Sequence, residues 1–333
     1  MTRGLVVGKF YPPHRGHKHL IDTAAAQVDH LDVLLCWRDD QQIPGTVRTA
    51  WLREIHAQTH IRIHSVWDFG DDDNSDAWAR CAVETIGYAP DLVFSSEDYG
   101  PRFAACLGAR HVLVDRARHA VPISGTAVRR DPLAAWSFLD APVRAWYAVR
   151  VAVVGAESTG TTTLARSLAE YYRTEWVPEF GRAYSAALVA TGTAIESYQW
   201  RSDEFVHIAH RQLELEDAAA RRCNRLLVCD TDALATTIWH ERYMGFASDA
   251  VRTIAAGRSY ALHILTDCDI PFEQDGLRDG EHKREWMTGR FRDELGARGG
   301  AWIVVRGPHT ARMDTAVAAI ERLLAARTDV AIR

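Results

Sequence analysis

The stretch VVGAESTGTTTLA, residues 153–165, reads as a strand that runs into a glycine-bounded loop and out into a helix. β-branched Val151, Val153 and Val154 enter Gly155; Gly160 follows five positions later, and Thr161, Thr162 and Thr163 open an apolar helical pattern. That spacing is the loop G-x-x-x-x-G-K-[ST], whose backbone amides close on phosphates at a helix N-terminus. The lysine position holds Thr161, and Thr162 stands where a hydroxyl takes a divalent metal. Gly155, Glu157, Ser158, Thr159, Gly160, Thr161, Thr162 and Thr163 are the residues expected around the phosphates of ATP. A strand, glycine turn and helix in this order belong to a parallel α/β sheet.

Outward from this loop, the 333-residue chain alternates short β-type runs with amphipathic stretches. Before it, strands are expected at residues 5–8, 31–36, 61–66, 92–95 and 111–114, with helical patterns at 17–27 and 48–58. Segment 133–147, LAAWSFLDAPVRAWY, reads as terminal helices or a connection broken at Pro142. A new strand starts at 149–154, and others are expected at 175–177, 226–229, 263–265 and 302–305. The fold class predicted is α/β, with two doubly wound parallel-sheet domains at residues 1–147 and 148–333. DFGDDDNSD (68–76) reads as a solvated acidic loop.

Composition narrows the function. Hydrophobic residues at 47% and charged residues at 25% describe a globular protein, and a net charge of −5 gives no basic footprint for nucleic acid. The six cysteines are scattered without a C-x-x-C pair, as buried thiols in a reducing compartment would be. No apolar run reaches spanning length, and the sequence enters GLVVG without a signal peptide. A cytoplasmic protein is expected, with no membrane or nucleic-acid partner; self-association stays open.

A second loop lies between the first strand and first helix, GKFYPPHRGHKHLI (8–21). In doubly wound sheets ligands bind at the carboxyl ends of strands, where this loop falls. Gly8 admits a ligand to the backbone, and Lys9 and Phe10 follow it. His14 and His17 flank Gly16 at the helix start, where two imidazoles beside free amides suit a triphosphate. The bland alternative is a His-rich turn or a zinc site of His14, His17 and His19. About a hundred residues on, VPISGTAVRR (121–130) sets Ser124, Gly125 and Thr126 at the mouth of a short helix, with Arg129 one turn in. Alone this is a helix cap. Paired with H-x-G-H in a parallel α/β domain, it marks an anion site with a fixed cation.

H-x-G-H together with I-S-x-T-x-x-R resembles the nucleotidylyltransferase superfamily. GKFYPPHRGH, ISGTAVR, the second-half phosphate loop, EFGRAYS and DGLR together resemble the NadR family over nearly the whole chain. The resemblance implies a nicotinamide mononucleotide adenylyltransferase joined to a ribosylnicotinamide kinase. The first domain would transfer AMP from ATP to nicotinamide mononucleotide, giving NAD and pyrophosphate with Mg²⁺. His14 and His17 would then contact the ATP phosphates, and Ser124, Thr126 and Arg129 would hold the triphosphate. Some family members carry a helix-turn-helix for DNA; the sequence opens at the first strand, so repressor function is not expected.

Arg48 and Arg53, on TVRTAWLREIH, either face the second substrate or form a solvated helix face. Trp78 either stacks on nicotinamide or packs in the core. In the second half LLVCDTD (226–232) ends a strand with Asp230 and Asp232, acids of the kind that hold Mg²⁺. Metal ligation is expected from Thr162 and Asp230, and acceptor contacts from Asp232. WVPEFGRAYS (176–185) offers Glu179, to bind or deprotonate the ribose hydroxyl of nicotinamide riboside, and Arg182, to steady phosphate. DGLRDGEHKREW (275–286) sits where a kinase carries a lid: Arg278 is expected to supply part of the missing lysine's charge, while Lys283 and Arg284 read as a solvated face. The catalytic set expected is His14, His17, Arg129, Glu179 and Asp230. Two alternatives stand beside this reading: a non-catalytic nucleotide sensor in the second half, or another phosphate acceptor such as phosphopantetheine.

Overall fold

The computed structural model describes residues 1–330 other than Asp72, Asp73 and Thr193. Two residues of the expected acidic loop, Asp72 and Asp73, therefore lie outside the described residues. The chain divides into two compact units, Met1–Val143 and Arg144–Arg333.

In the N-terminal unit the order is β1 (Arg3–Gly8), α1 (Arg15–Ala25), β2 (His30–Trp37), α2 (Gly45–Ile55), β3 (Ile61–Trp67), α3 (Ser75–Ile86), β4 (Leu92–Ser95), α4 (Gly100–Cys106), β5 (Arg110–Leu113) and α5 (Gly125–Arg130). The sheet is wholly parallel in the order β3-β2-β1-β4-β5. Strands covered on both faces read as continuous apolar runs, and all four residues of β4 are buried. One face packs Leu20, Ile21 and Leu52 against the strands; the other packs Trp78, Ala82 and Phe103. The strand order reverses between β1 and β4, which opens a crevice above their carboxyl ends. The loop after β1 lies there.

A helix α6 (Ala141–Tyr147) follows, and the division between the units falls inside it. Pro142 stands in its first turn, where no helical hydrogen bond needs the missing N–H, so proline starts this helix instead of breaking it as the sequence suggested.

The C-terminal unit runs β6 (Val149–Gly155), α7 (Thr161–Tyr172), β7 (Trp176–Val177), α8 (Phe180–Ala190), α9 (Ser202–Ala220), β8 (Leu226–Asp230), α10 (Ala233–Met244), α11 (Asp249–Ala256), β9 (Leu262–Thr266), α12 (Arg284–Arg298), β10 (Trp302–Val305) and α13 (His309–Val330). Its parallel sheet has the order β10-β9-β6-β8-β7. Val151, Val153, Leu227, Val228 and Ile264 are fully buried along the central strands. Truncating one of them to alanine would cost about 2–4 kcal/mol. No helix among the described residues is long and apolar enough to cross a membrane.

Two candidate nucleotide sites

In the N-terminal unit a cleft of about 670 Å³ opens over β1 and β4. His14 caps α1 from an extended backbone, and its Nδ1 accepts from the Gly16 amide at 3.1 Å and the His17 amide at 3.3 Å. A ring nitrogen that accepts two amides carries no proton, so the proton of the neutral ring sits on Nε2. The His17 ring stacks on His14 with centroids 3.7 Å apart, and Phe10 meets His17 edge-on at 5.0 Å. Among the described residues, buried His17 Nδ1 makes no hydrogen bond. Burial and the nearby Arg118 charge push the His14 pKa down to about 4; burial, His14 and Arg118 hold His17 well below the usual imidazole range. A polyanion placed on these rings would reverse part of that shift.

The second segment closes on the first. A Cβ at Gly125 would stand 2.7 Å from the Tyr11 carbonyl oxygen, so only glycine allows α5 this close. Ser124 caps α5 by accepting from the Ala127 amide at 3.1 Å. Arg129 donates to the Tyr11 carbonyl at 2.5 Å and to the Thr126 hydroxyl at 3.2 Å, with its guanidinium over the Tyr11 ring. Gly8, Lys9, Phe10, His14, His17, Ser124, Thr126 and Arg129 all line the cleft, and the structure brings this whole set together. Lys9 Nζ lies 3.5 Å from the buried Asp68 carboxylate.

Two expectations for the second substrate change here. Arg48 is fully buried and donates to the carbonyls of Ile43 and Lys9 and to Gln41, so it braces the loop after β1 from below. Arg53 donates to the Ile63 carbonyl at 3.2 Å. Neither lines the cleft. Trp78, 8% exposed, belongs to the core, as one of its two readings had it; it also lines the cleft, with Phe69 stacked on it at 4.1 Å. Arg118 was missed. It sits in a turn held by Asp115, whose carboxylate accepts the His119 amide at 2.8 Å and the Ala120 amide at 3.2 Å, and no spacing motif marks it.

In the C-terminal unit a cavity lies at the ends of β6 and β8, the reversal point of that sheet. Gly160 takes φ +82 as the cap of α7, a conformation that a side chain would strain. Thr159 is buried with its hydroxyl on Ala156 O and the Thr266 hydroxyl, both at 2.7 Å, so it braces the loop. Thr163 faces solvent, whereas Gly155, Glu157, Ser158, Thr161 and Thr162 line the cavity. Asp230, at the end of β8, has a buried Oδ1 without a partner, and burial lifts its pKa to about 6 against the pull of Thr162 and Arg166. Glu179 lines the cavity; burial and the charges of Asp230 and Glu157 push it up to about 8.

Asp232 departs from its expected role. It is fully buried, caps α10 through the Ala235 amide at 2.8 Å and meets His263 Nε2 at 2.9 Å, away from the cavity. Arg284 also departs: it is buried and donates to Ser158 O at 3.2 Å and Ile270 O at 2.9 Å, so it anchors the start of α12 to the phosphate loop. Arg182 and Arg278 both line the cavity and share Asp275. Glu157 pairs with Arg242 at 3.1 Å. The cavity's aromatic wall was missed: Trp200, Trp239 and Tyr243 line it, with Trp200–Tyr243 centroids 5.1 Å apart. Their separation in sequence hid them.

The two units are thus a nucleotidylyltransferase-type Rossmann-like α/β sheet whose first loop carries H-x-G-H, followed by a P-loop kinase-like sheet. The AAA domain pattern matches residues 150–312. The Trifunctional NAD biosynthesis/regulator protein NadR of Escherichia coli (strain K12) is 30% identical over 297 residues, covering 83% of this chain and 72% of that protein. Its counterpart of the same name in Salmonella typhimurium is 29% identical over 295 residues, covering 83% and 71%. A crystal structure of NadR protein in complex with NR aligns with TM-score 0.79 at 20% identity, covering 97% of this chain and 96% of that one. A second, in complex with NAD and AMP-PNP, aligns with TM-score 0.77 at 20% identity. The chain belongs to the NadR family.

Proposed function

We propose that this chain works in NAD biosynthesis. Its N-terminal unit transfers AMP from ATP to nicotinamide mononucleotide, and its C-terminal unit binds ATP and phosphorylates nicotinamide riboside. The observation that carries the first half is the stacked His14–His17 pair, its protons available to a phosphate and its backbone fixed by the α1 cap. The phosphate of the mononucleotide is already a nucleophile. It attacks the α-phosphorus of ATP, a P–O bond forms, the bond to pyrophosphate breaks, and no general base is required. His14 Nε2–H, His17, Arg118 and Arg129 stabilise charge that grows on the leaving pyrophosphate. Mg²⁺, when bound, supplies further neutralisation of the phosphates. The test is NAD and pyrophosphate formation from ATP with a panel of phosphate monoesters, nicotinamide mononucleotide and phosphopantetheine among them. Turnover with phosphopantetheine alone would overturn the choice of acceptor.

In the C-terminal unit, Glu179 accepts the proton of the riboside hydroxyl and Arg182 and Arg278 face the transferred phosphoryl group. The unpartnered Asp230 oxygen beside Thr162 fits a divalent cation, and these two residues would hold it. Trp200 lines the cavity as a flat partner for the cationic pyridinium ring of a nicotinamide nucleoside, while the Trp239 and Tyr243 faces beside it already carry the Arg242 guanidinium. A second reading keeps ATP binding without transfer. It is favoured by Thr161, which gives a hydroxyl where a P-loop kinase gives an ammonium. ATP binding without riboside phosphorylation would decide for that reading.

A further inference from the structure

Gln212 lies on α9, one and two turns beyond Ile208 and Phe205, and all three line the C-terminal cavity. It is 1% exposed. One polar atom of its side chain lies 2.9 Å from the Phe180 amide nitrogen. An N–H can only donate, so that atom is the carboxamide oxygen, and the orientation of the amide is fixed. The NH₂ group is then left buried with no acceptor among the described residues. Trp200, across the same cavity, repeats the pattern: its indole Nε1–H is buried and has no partner among the described residues. A buried donor without an acceptor costs free energy, so two on one cavity wall point to something that arrives with the ligand.

We infer that Gln212 is the specificity-determining residue of the acceptor pocket, donating through its NH₂ group to the carboxamide carbonyl oxygen of the bound pyridine nucleoside. This deepens the riboside reading given above and rests on it. The cavity's groups divide by chemistry. Glu179 is an acceptor suited to sugar hydroxyls, which donate. Gln212 and Trp200 are donors and need an oxygen that accepts. Gln212 also shares a helical stripe with Phe205 and Ile208, on the wall against which a flat base would lie. A carbonyl on that base meets the requirement without competing with the hydroxyls for Glu179. A nucleoside whose base lacks such an oxygen leaves both donors stranded and should be rejected.

The test compares two ligands on the full chain by calorimetry: nicotinamide riboside, and pyridine riboside, which lacks the carboxamide. The wild-type protein should prefer nicotinamide riboside by about tenfold or more, the size expected of one buried hydrogen bond. In Gln212→Met that preference should collapse towards unity through loss of nicotinamide riboside affinity, with pyridine riboside binding little changed. Equal losses for both ligands would mean that Gln212 serves only to hold Phe180, and the inference would fall. Equal binding of both ligands by the wild type would overturn it without any variant. A wild type that binds neither riboside defeats the riboside reading itself, a result distinct from binding that ignores the carboxamide.

Discussion

The Ser158 hydroxyl, in a left-handed turn of the phosphate loop at φ +56, accepts a hydrogen bond from the Glu273 amide at 2.8 Å. One residue earlier, the Glu157 carboxylate accepts from the Gly280 amide at 2.7 Å. Phosphate loop and the segment after β9 are therefore joined at two adjacent residues. The segment carries Arg278, whose Nη1 lies 3.4 Å from the same Ser158 hydroxyl. A cation thus stands beside a loop in which Thr161 has replaced one.

Riboside phosphorylation should depend on that cation. Arg278→Ala should lower the rate about a hundredfold or more while ATP binding by calorimetry persists, because transfer is governed by charge placed on the transferring group. Thr161→Lys should raise the wild-type rate. A brisk wild-type rate that Arg278→Ala leaves untouched would assign the role to another cation.

In the N-terminal unit, His17→Ala should cut NAD synthesis by about a hundredfold or more, the loss typical of one transition-state hydrogen-bond donor. His17 does not cap α1, so circular dichroism and the thermal midpoint should stay close to wild type. A folded variant with near wild-type turnover would remove the imidazoles from the mechanism.

His14 and His56 should each withdraw stability in mild acid, against the opposite contribution of Glu179, Glu216 and Asp230, whose carboxyls are raised by burial. His14 and His56 are held at about 4 in the folded chain, chiefly by burial, against 6.5 for the unfolded state. Between those values the unfolded imidazoles bind protons that the folded ones refuse, so the contribution of these two groups is full above pH 6.5 and drains as pH drops towards 4. For His56 the loss from pH 7 to pH 5 is about 2 kcal/mol. Urea midpoints of wild type and His56→Asn at the two pH values measure it: the variant should keep about that much more of its stability on going from pH 7 to pH 5. The same pH response in variant and wild type would mean that His56 titrates alike in the folded and unfolded chain.

Arg48→Ala should act on stability. The substitution strands the carbonyls of Ile43 and Lys9 beneath the phosphate loop and should cost about 3 kcal/mol in urea unfolding. If Arg48 instead touched the second substrate, the variant would keep its midpoint and raise the KM for nicotinamide mononucleotide alone.

The strands were legible because parallel sheets bury both faces, and runs such as LLVC and LDVLLC have no competing pattern. The two phosphate loops were legible for a different reason: their glycines and caps are consecutive residues, and local spacing encodes them. Side-chain direction was not. Arg48 and Arg284 look like surface cations in sequence, yet both turn inward to backbone carbonyls that only the folded chain supplies. Asp232 looked like a second metal acid because it follows Asp230 by two residues, but the cap of α10 takes it. The aromatic wall draws Trp200 from before α9 and Trp239 and Tyr243 from α10, a convergence with no signature in one dimension.

The strand order has a consequence for how the protein comes into being. β1 is bonded on one side to β2 and on the other to β4, so Gly4 finds its neighbour Leu92 only after most of the unit has been made. β6 likewise waits for both β8 and β9, with Gly155 aligned to Thr266. Each phosphate loop is among the first parts of its unit to leave the ribosome and among the last to acquire its surroundings. Such long-range pairing is slow to form. A nascent chain should therefore be unable to hold ATP at either loop until the strand that completes the crevice has emerged, and stalled chains ending before Ser95 or Thr266 should have no grip on nucleotide in the corresponding unit.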